Sequence, residues 1–224
     1  MNDTYEPPVL TVDSVIFQLL DNKLAVLLIQ RTNEPFKDQW ALPGGYSAAG
    51  ETTREAMARV LSAKAGLQVK DLRFIEQLYT FDTVARDPRG HAVSVTYMGL
   101  SINLKPLVSE NTQKPTFFSL DKLPELAYDH ADIVHYALER LRSKITYTNA
   151  VHAFLPTSFT LTQLQVAYEA ILGHSLDKRN FRKKIGATGL IKPTEKYYQE
   201  GAHRPARLYR FKNQTPQESV PIFG

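Results

Sequence analysis

A β-branched, partly alternating run, Val9–Phe17 (VLTVDSVIF), and a nearly continuous apolar run, Lys23–Ile29 (KLAVLLI), open the chain, with the pair Asp21-Asn22 between them. β-Branched runs punctuated by such a pair predict two strands joined by a hairpin. The segment from Phe36 to Leu42 (FKDQWAL) then leads into a Gly-Gly turn. Beyond it the hydrophobic period changes. Ala56, Val60, Leu61 and Ala63 fall on one stripe of a helix over Thr53–Ala65, and Gly66 stops it. Asp71–Thr83, rich in aromatics, and Ala92–Leu100 read as paired strands around the loop Arg86–Gly90, with a short strand at Thr116–Ser119. Ile133, Val134, Ala137, Leu138 and Leu141 predict a further helix over His130–Ser143.

The pattern is different after Thr157. Thr160-Leu161-Thr162-Gln163 matches a capping box, and the apolar face Leu161, Leu164, Ala167, Tyr168, Ile171 and Leu172 ends at Gly173. A second, short helix follows over Leu176–Ile185 (LDKRNFRKKI), with Asp177 as its N-cap. Leu176, Phe181 and Ile185 turn inward, which leaves Lys178, Arg179, Asn180, Arg182, Lys183 and Lys184 outward. Two strands, Gly189–Tyr198 and Ala206–Lys212, close the segment around the loop Gln199–Pro205.

Charge sharpens this division. Residues 151–224 hold 11 Lys and Arg against 5 Asp and Glu, whereas the rest holds 16 against 18. We therefore divide the chain into residues 1–148 and 149–224. A helix, a short turn, a basic helix and a hairpin with a basic tip (His203, Arg204, Arg207) have the layout of a winged helix-turn-helix, a DNA-binding module. A small α+β appendage with a solvated basic helix is the alternative. The chain has no cysteine, so disulfides and thiolate metal sites are excluded. The six histidines lack metal-ligand spacing, and no metal site is expected. Without a signal peptide or a bilayer-length apolar run, a cytoplasmic protein with no membrane partner is expected.

The stretch Leu42–Leu67 carries the candidate chemistry. Gly45, Glu51, Arg59, Leu61, Gly66 and Leu67 stand in the frame G-x5-E-x7-R-E-U-x-E-E-x-G-U, which resembles the Nudix box. Its three remaining glutamates are replaced by Val60, Ala63 and Lys64. Positions 60, 63 and 64 share one helix face, where three carboxylates would gather Mg²⁺, a hard cation that prefers oxygen ligands. Lys64 would repel that ion. No catalytic residue and no enzyme activity are expected.

With these features on one chain, the sequence resembles the Nudix-related transcriptional regulators of the NrtR family. The segments WALPGG (Trp40–Gly45), YTF (Tyr79–Phe81), RDPRG (Arg86–Gly90), YDH (Tyr128–His130), NFRKK and RPARLYRF (Arg204–Phe211) carry the resemblance beside the box. It implies an α/β fold: an N-terminal Nudix α/β/α sandwich with a mixed sheet, plus a C-terminal winged helix. It further implies a dimeric bacterial repressor of NAD-metabolism genes that binds an inverted-repeat operator and is released by ADP-ribose, with no cofactor. A related branch senses arabinose, and an active hydrolase of a nucleoside diphosphate derivative is the remaining alternative. For ADP-ribose, Arg31, Arg86 and Arg89 are candidate guanidinium donors. Trp40, Tyr79 and Phe81 are candidate aromatic faces, and Gly44-Gly45 the close-approach turn. Trp40 also reads as a core anchor, and each arginine as a surface ion-pair residue.

Overall fold

In the computed structural model, which describes residues 6–107, 113–199, 205–215, 217–219 and 221–222, the opening apolar runs form strands β1 (Val9–Leu20) and β2 (Lys23–Gln30). Asp21 and Asn22 connect them with φ of 48° and 62°. Two successive left-handed residues make the turn whose twist matches a hairpin, and short polar side chains tolerate that conformation best. Most of β1 and β2 is buried, unlike strands with one wet face.

β3 (Trp40–Ala41) and β4 (Gly44–Tyr46) follow, then α1 (Thr53–Ala65), β5 (Phe74–Phe81), β6 (Ala92–Leu100) and β7 (Gln113–Ser119). They form one seven-stranded mixed sheet ordered β3-β2-β1-β6-β5, with β4 beside β1 and β7 beside β2. β1 runs parallel to β6, with Val12 opposite Val95, and antiparallel to β4, with Asp13 opposite Gly44.

Helix α1 is closed at both ends. Thr52 and Glu55 form a reciprocal capping box, and Gly66 adopts φ 65° while donating its N–H to Ser62. Its apolar stripe Ala56, Met57, Val60, Leu61 and Ala65 packs on Val12, Ile16, Leu27 and Tyr97. Met57 and Leu61 are fully buried, and each contributes about 1.5–3 kcal/mol by leaving water.

α2 (His130–Tyr147) is longer than its predicted extent because Ile145 continues the buried stripe past Ser143. β5 is shorter than Asp71–Thr83, since Val69–Asp71 forms a 3₁₀ turn in which Asp71 caps the Gln68 N–H. The chain divides into two compact units, residues 1–18 with 25–137, and residues 19–24 with 138–224.

In the second unit, a buried 3₁₀ segment (Ala150–Phe154) precedes β8 (Phe159–Thr160), α3 (Leu161–Leu172), α4 (Lys178–Ala187), β9 (Ile191–Tyr198) and β10 (Ala206–Phe211). The three strands pair in the order β8-β10-β9. Tyr168 of α3 meets Phe181 of α4 at 5.5 Å, and Phe159 meets Phe211 at 5.1 Å. Between α3 and α4 the turn is clamped from α3. Glu169 accepts the Leu176 N–H at 2.8 Å, and Gln165 donates to the Leu176 carbonyl at 2.9 Å. This is a winged helix-turn-helix.

Candidate functional site

A cleft of about 500 Å³ opens in the first unit between the box helix, the end of β2 and the Arg86–Arg89 loop. Gly44 and Gly45 line it beside Val60, Ala63 and Lys64 of α1. Both glycines owe their place to close packing. A Cβ on Gly44 would lie 1.9 Å from Asp13 Oδ1, and one on Gly45 would lie 3.1 Å from Val60 Cγ2. The helix face that carries glutamates in the Nudix box thus faces the cleft with an isopropyl group, a methyl group and an ammonium. Among the described residues, no group of three or more His, Cys, Asp or Glu is placed to hold a metal ion. This donor set does not fit a magnesium centre.

Beneath the cleft lies a buried ionic cluster. Arg86 Nε and Nη2 donate to the two carboxylate oxygens of Asp129 at 2.8 Å each, and Nη2 lies 3.5 Å from Asp13. The three side chains are only 5%, 12% and 7% exposed, so this pairing decides how the guanidinium is used. Burial pulls the Arg86 pKa down, but the hydrogen bonds and charge of Asp129 and Asp13 leave it raised overall. Asp13 also accepts from Ser94 Oγ at 2.6 Å. His130 accepts the Leu42 N–H on Nδ1 at 2.9 Å, which puts its proton on Nε2, 3.5 Å from Asp13. Burial lowers the His130 pKa and favours this neutral form.

The other predicted cations sit at the rim. Arg31 donates to the carbonyls of Pro35 at 2.8 Å and Asn33 at 3.2 Å, and its guanidinium lies 4.8 Å from the Tyr128 ring. Arg89 forms a two-bond pair with Asp87, which raises the Arg89 pKa and lowers that of Asp87. Its guanidinium also lies over the rings of Tyr46 and Tyr128, at 5.6 and 5.9 Å. Glu51 and Arg59 of the box frame are paired through two hydrogen bonds, at 2.5 and 3.0 Å, and Glu51 also accepts the Ala48 N–H. Those bonds lower the Glu51 pKa to about 2.

Of the predicted ligand residues, Arg31, Gly44, Gly45, Arg86 and Arg89 line the cleft, and Trp40, Tyr79 and Phe81 do not. Trp40 stacks edge-on against Phe118 at 4.6 Å. Tyr79 and Phe81 stand on β5, at the end of the sheet, and gather around Tyr136. The aromatic walls are instead Tyr46 and Tyr128, which sequence reasoning missed along with Asp13 and His130. Asp13 was detectable as a carboxylate inside an apolar strand. Tyr128 and His130 lie in the YDH segment already singled out.

In the second unit, Lys178, Arg179, Asn180, Arg182, Lys183 and Lys184 are exposed on α4, whereas Phe181 and Ile185 are each 1% exposed. Asp177 caps the helix by accepting the Asn180 N–H at 2.8 Å. Arg207 is exposed on β10, with Nε donating to the Thr194 carbonyl at 3.2 Å. His203 and Arg204 lie outside the described residues.

Comparison with known proteins places both units. Residues 10–137 match the NUDIX domain family, and residues 151–211 match the NrtR DNA-binding winged helix domain. A protein of Acinetobacter baylyi, named ADPR responsive transcriptional repressor NtrR, is 40% identical over 97% of this chain and 87% of its own length. The chain belongs to the NrtR family of Nudix-related regulators. Shewanella oneidensis NrtR in complex with a 27mer DNA superposes with a TM-score of 0.75 at 32% identity, covering 91% of this chain and 93% of that one. The NUDIX domain of the same Shewanella protein, complexed with ADP ribose, covers 63% of this chain and 93% of its own, with a TM-score of 0.56 and 33% identity. An ADP-ribose pyrophosphatase of Methanocaldococcus jannaschii is 39% identical over 58% of this chain and 73% of its own length. NrtR relatives are thus DNA-binding regulators built on a fold shared with hydrolases.

Proposed function

We propose that this NrtR-family chain is a transcriptional repressor whose first unit binds ADP-ribose without hydrolysing it and whose winged helix binds operator DNA. The observation that carries the reading is the cleft itself. Arg31, Arg59, Lys64, Arg86 and Arg89 line it against the carboxylates Asp13, Glu34 and Asp87, and Tyr46 and Tyr128 supply aromatic faces. A ligand with a diphosphate and an adenine uses both features; free arabinose uses neither and would fill little of about 500 Å³. The ADP-ribose-responsive Acinetobacter relative and the ADP-ribose complex of the Shewanella domain support the same ligand.

Two sets of residues would do the work. In the cleft, Arg31, Arg89 and Lys64 face the ligand, and Arg86 builds the floor. On DNA, α4 would enter the major groove, with Arg179 and Asn180 reading base edges and the lysines meeting phosphates. One chain offers one such helix, so specific binding is expected from a homodimer on an inverted repeat. The protein is read as cytoplasmic; among the described residues no helix is long and apolar enough to cross a membrane.

Calorimetry with ADP-ribose in EDTA, run beside an assay for AMP release with Mg²⁺ or Mn²⁺, tests the proposal. Metal-independent binding without turnover is expected. Metal-dependent AMP release would favour the activity named for the Methanocaldococcus relative, and binding of arabinose in place of ADP-ribose the sugar-responsive branch.

A further inference from the structure

Among the groups lining the cleft, Lys64 has the least precedent in the box it belongs to. It stands where the Nudix frame carries its last glutamate, on a helix whose other two replaced positions, Val60 and Ala63, also line the cleft. A divalent ion held there would supply positive charge to a diphosphate. Removing the carboxylates removes that ion, and a diphosphate brought into the cleft then needs its negative charge met by side chains.

The structure supplies charge at the same place. Lys64 and Arg31 line the same cleft, where burial lowers the lysine's pKa and the charge of Arg31 lowers it further. Like charges that share one half-buried cleft repel, and an anion bound by both converts that repulsion into two favourable pairings. Three of the neighbouring guanidiniums meet carboxylates. Arg86 is bound to Asp129 and Asp13, Arg89 to Asp87, and Arg59 to Glu51. Arg31 meets two carbonyls and a ring rather than a carboxylate in its hydrogen bonds. We propose that Lys64, with Arg31, binds the diphosphate of the ligand in place of the divalent cation, so that the exchange of glutamate for lysine turns a metal-dependent site into a metal-independent one. This rests on the ADP-ribose reading for the complete ligand but concerns only its diphosphate.

The test is calorimetric titration of the full-length protein and its K64Q and K64R variants, with inorganic pyrophosphate and separately with ADP-ribose, each in EDTA and in Mg²⁺. Tryptophan fluorescence of each variant, reporting on Trp40, checks that the first unit remains folded. The wild type and K64R are expected to bind pyrophosphate equally well with and without Mg²⁺. K64Q should lose about tenfold or more, the scale of a lost charge-assisted hydrogen bond. Pyrophosphate binding within twofold of wild type for K64Q in EDTA would overturn the proposal, as would wild-type binding that requires Mg²⁺. If pyrophosphate binds and K64Q loses it while ADP-ribose does not bind, Lys64 keeps its role and the ADP-ribose reading falls. If ADP-ribose binds the wild type and K64Q equally in EDTA, the ligand stands and the role of Lys64 falls.

Discussion

Replacing Arg86 with alanine should damage stability before it touches recognition. The guanidinium is 5% exposed and makes two 2.8 Å bonds to Asp129 while lying 3.5 Å from Asp13. Its removal leaves two carboxylates, 7% and 12% exposed, without their shared counter-charge. Breaking a buried pair in this way costs about 3–5 kcal/mol. With a urea dependence of about 2 kcal/mol per molar, the unfolding midpoint should fall by about 2 M. Trp40 is the sole tryptophan and belongs to the first unit, so its fluorescence reports on the affected unit alone. Arg86→Lys should lie between, keeping the charge and losing the fork. Arg86→Met combined with Asp129→Asn should lose less than the sum of the two single changes, because residues in one ionic network couple by about 0.5–3 kcal/mol. A loss below about 1 kcal/mol for Arg86→Ala, with additive behaviour in the double variant, would show that water screens the cluster and that the reasoning fails.

Other consequences are open to measurement. Arg179→Ala or Asn180→Ala should cost about 1–3 kcal/mol on a selected duplex and little on a scrambled one, whereas Lys183→Ala should weaken both and reduce the salt slope by about one; equal losses on both duplexes throughout would mean that α4 supplies charge only. Asn149 is 1% exposed, donates to the carbonyls of Asn213 and Thr215, and accepts the Gln217 N–H, so Asn149→Ala should cost about 2–4 kcal/mol and speed hydrogen exchange near the C-terminus; unchanged exchange there would exclude this anchoring role. The Glu51 carboxyl is lowered to about 2 by Arg59 and Ala48, so its stabilisation is complete above the ordinary glutamate range and is lost as pH falls towards about 2. Glu51→Gln should flatten that acid limb in a thermal titration, and an unaltered limb would contradict the assignment.

How much of this was legible in the sequence depends on range. The box helix keeps the predicted bounds, Thr53–Ala65, because stripe and terminal glycine are local signals. The α3 capping box and the inward Phe181 and Ile185 were equally local. The floor of the cleft was not, since Arg86 and Asp129 lie 43 residues apart and meet only when β1, the Arg86–Arg89 loop and the start of α2 come together. Hence Arg86 looked like a ligand donor on sequence and is consumed by carboxylates in the fold. The aromatic lining of the cleft differs from the sequence expectation for a related reason. Trp40 and Tyr46 both flank the Gly-Gly turn, and only the sheet decides that Trp40 stacks on Phe118 while Tyr46 borders the cleft.

The central claim, that ADP-ribose controls DNA binding, is tested most directly by fluorescence anisotropy. A labelled duplex selected by the protein from a randomised pool is titrated with the full chain, in EDTA, with and without saturating ADP-ribose. The account predicts that ADP-ribose weakens DNA binding by about fivefold or more, and that the duplex weakens ADP-ribose binding by the same factor, as linkage requires. An unchanged DNA affinity while ADP-ribose occupies the protein would contradict it.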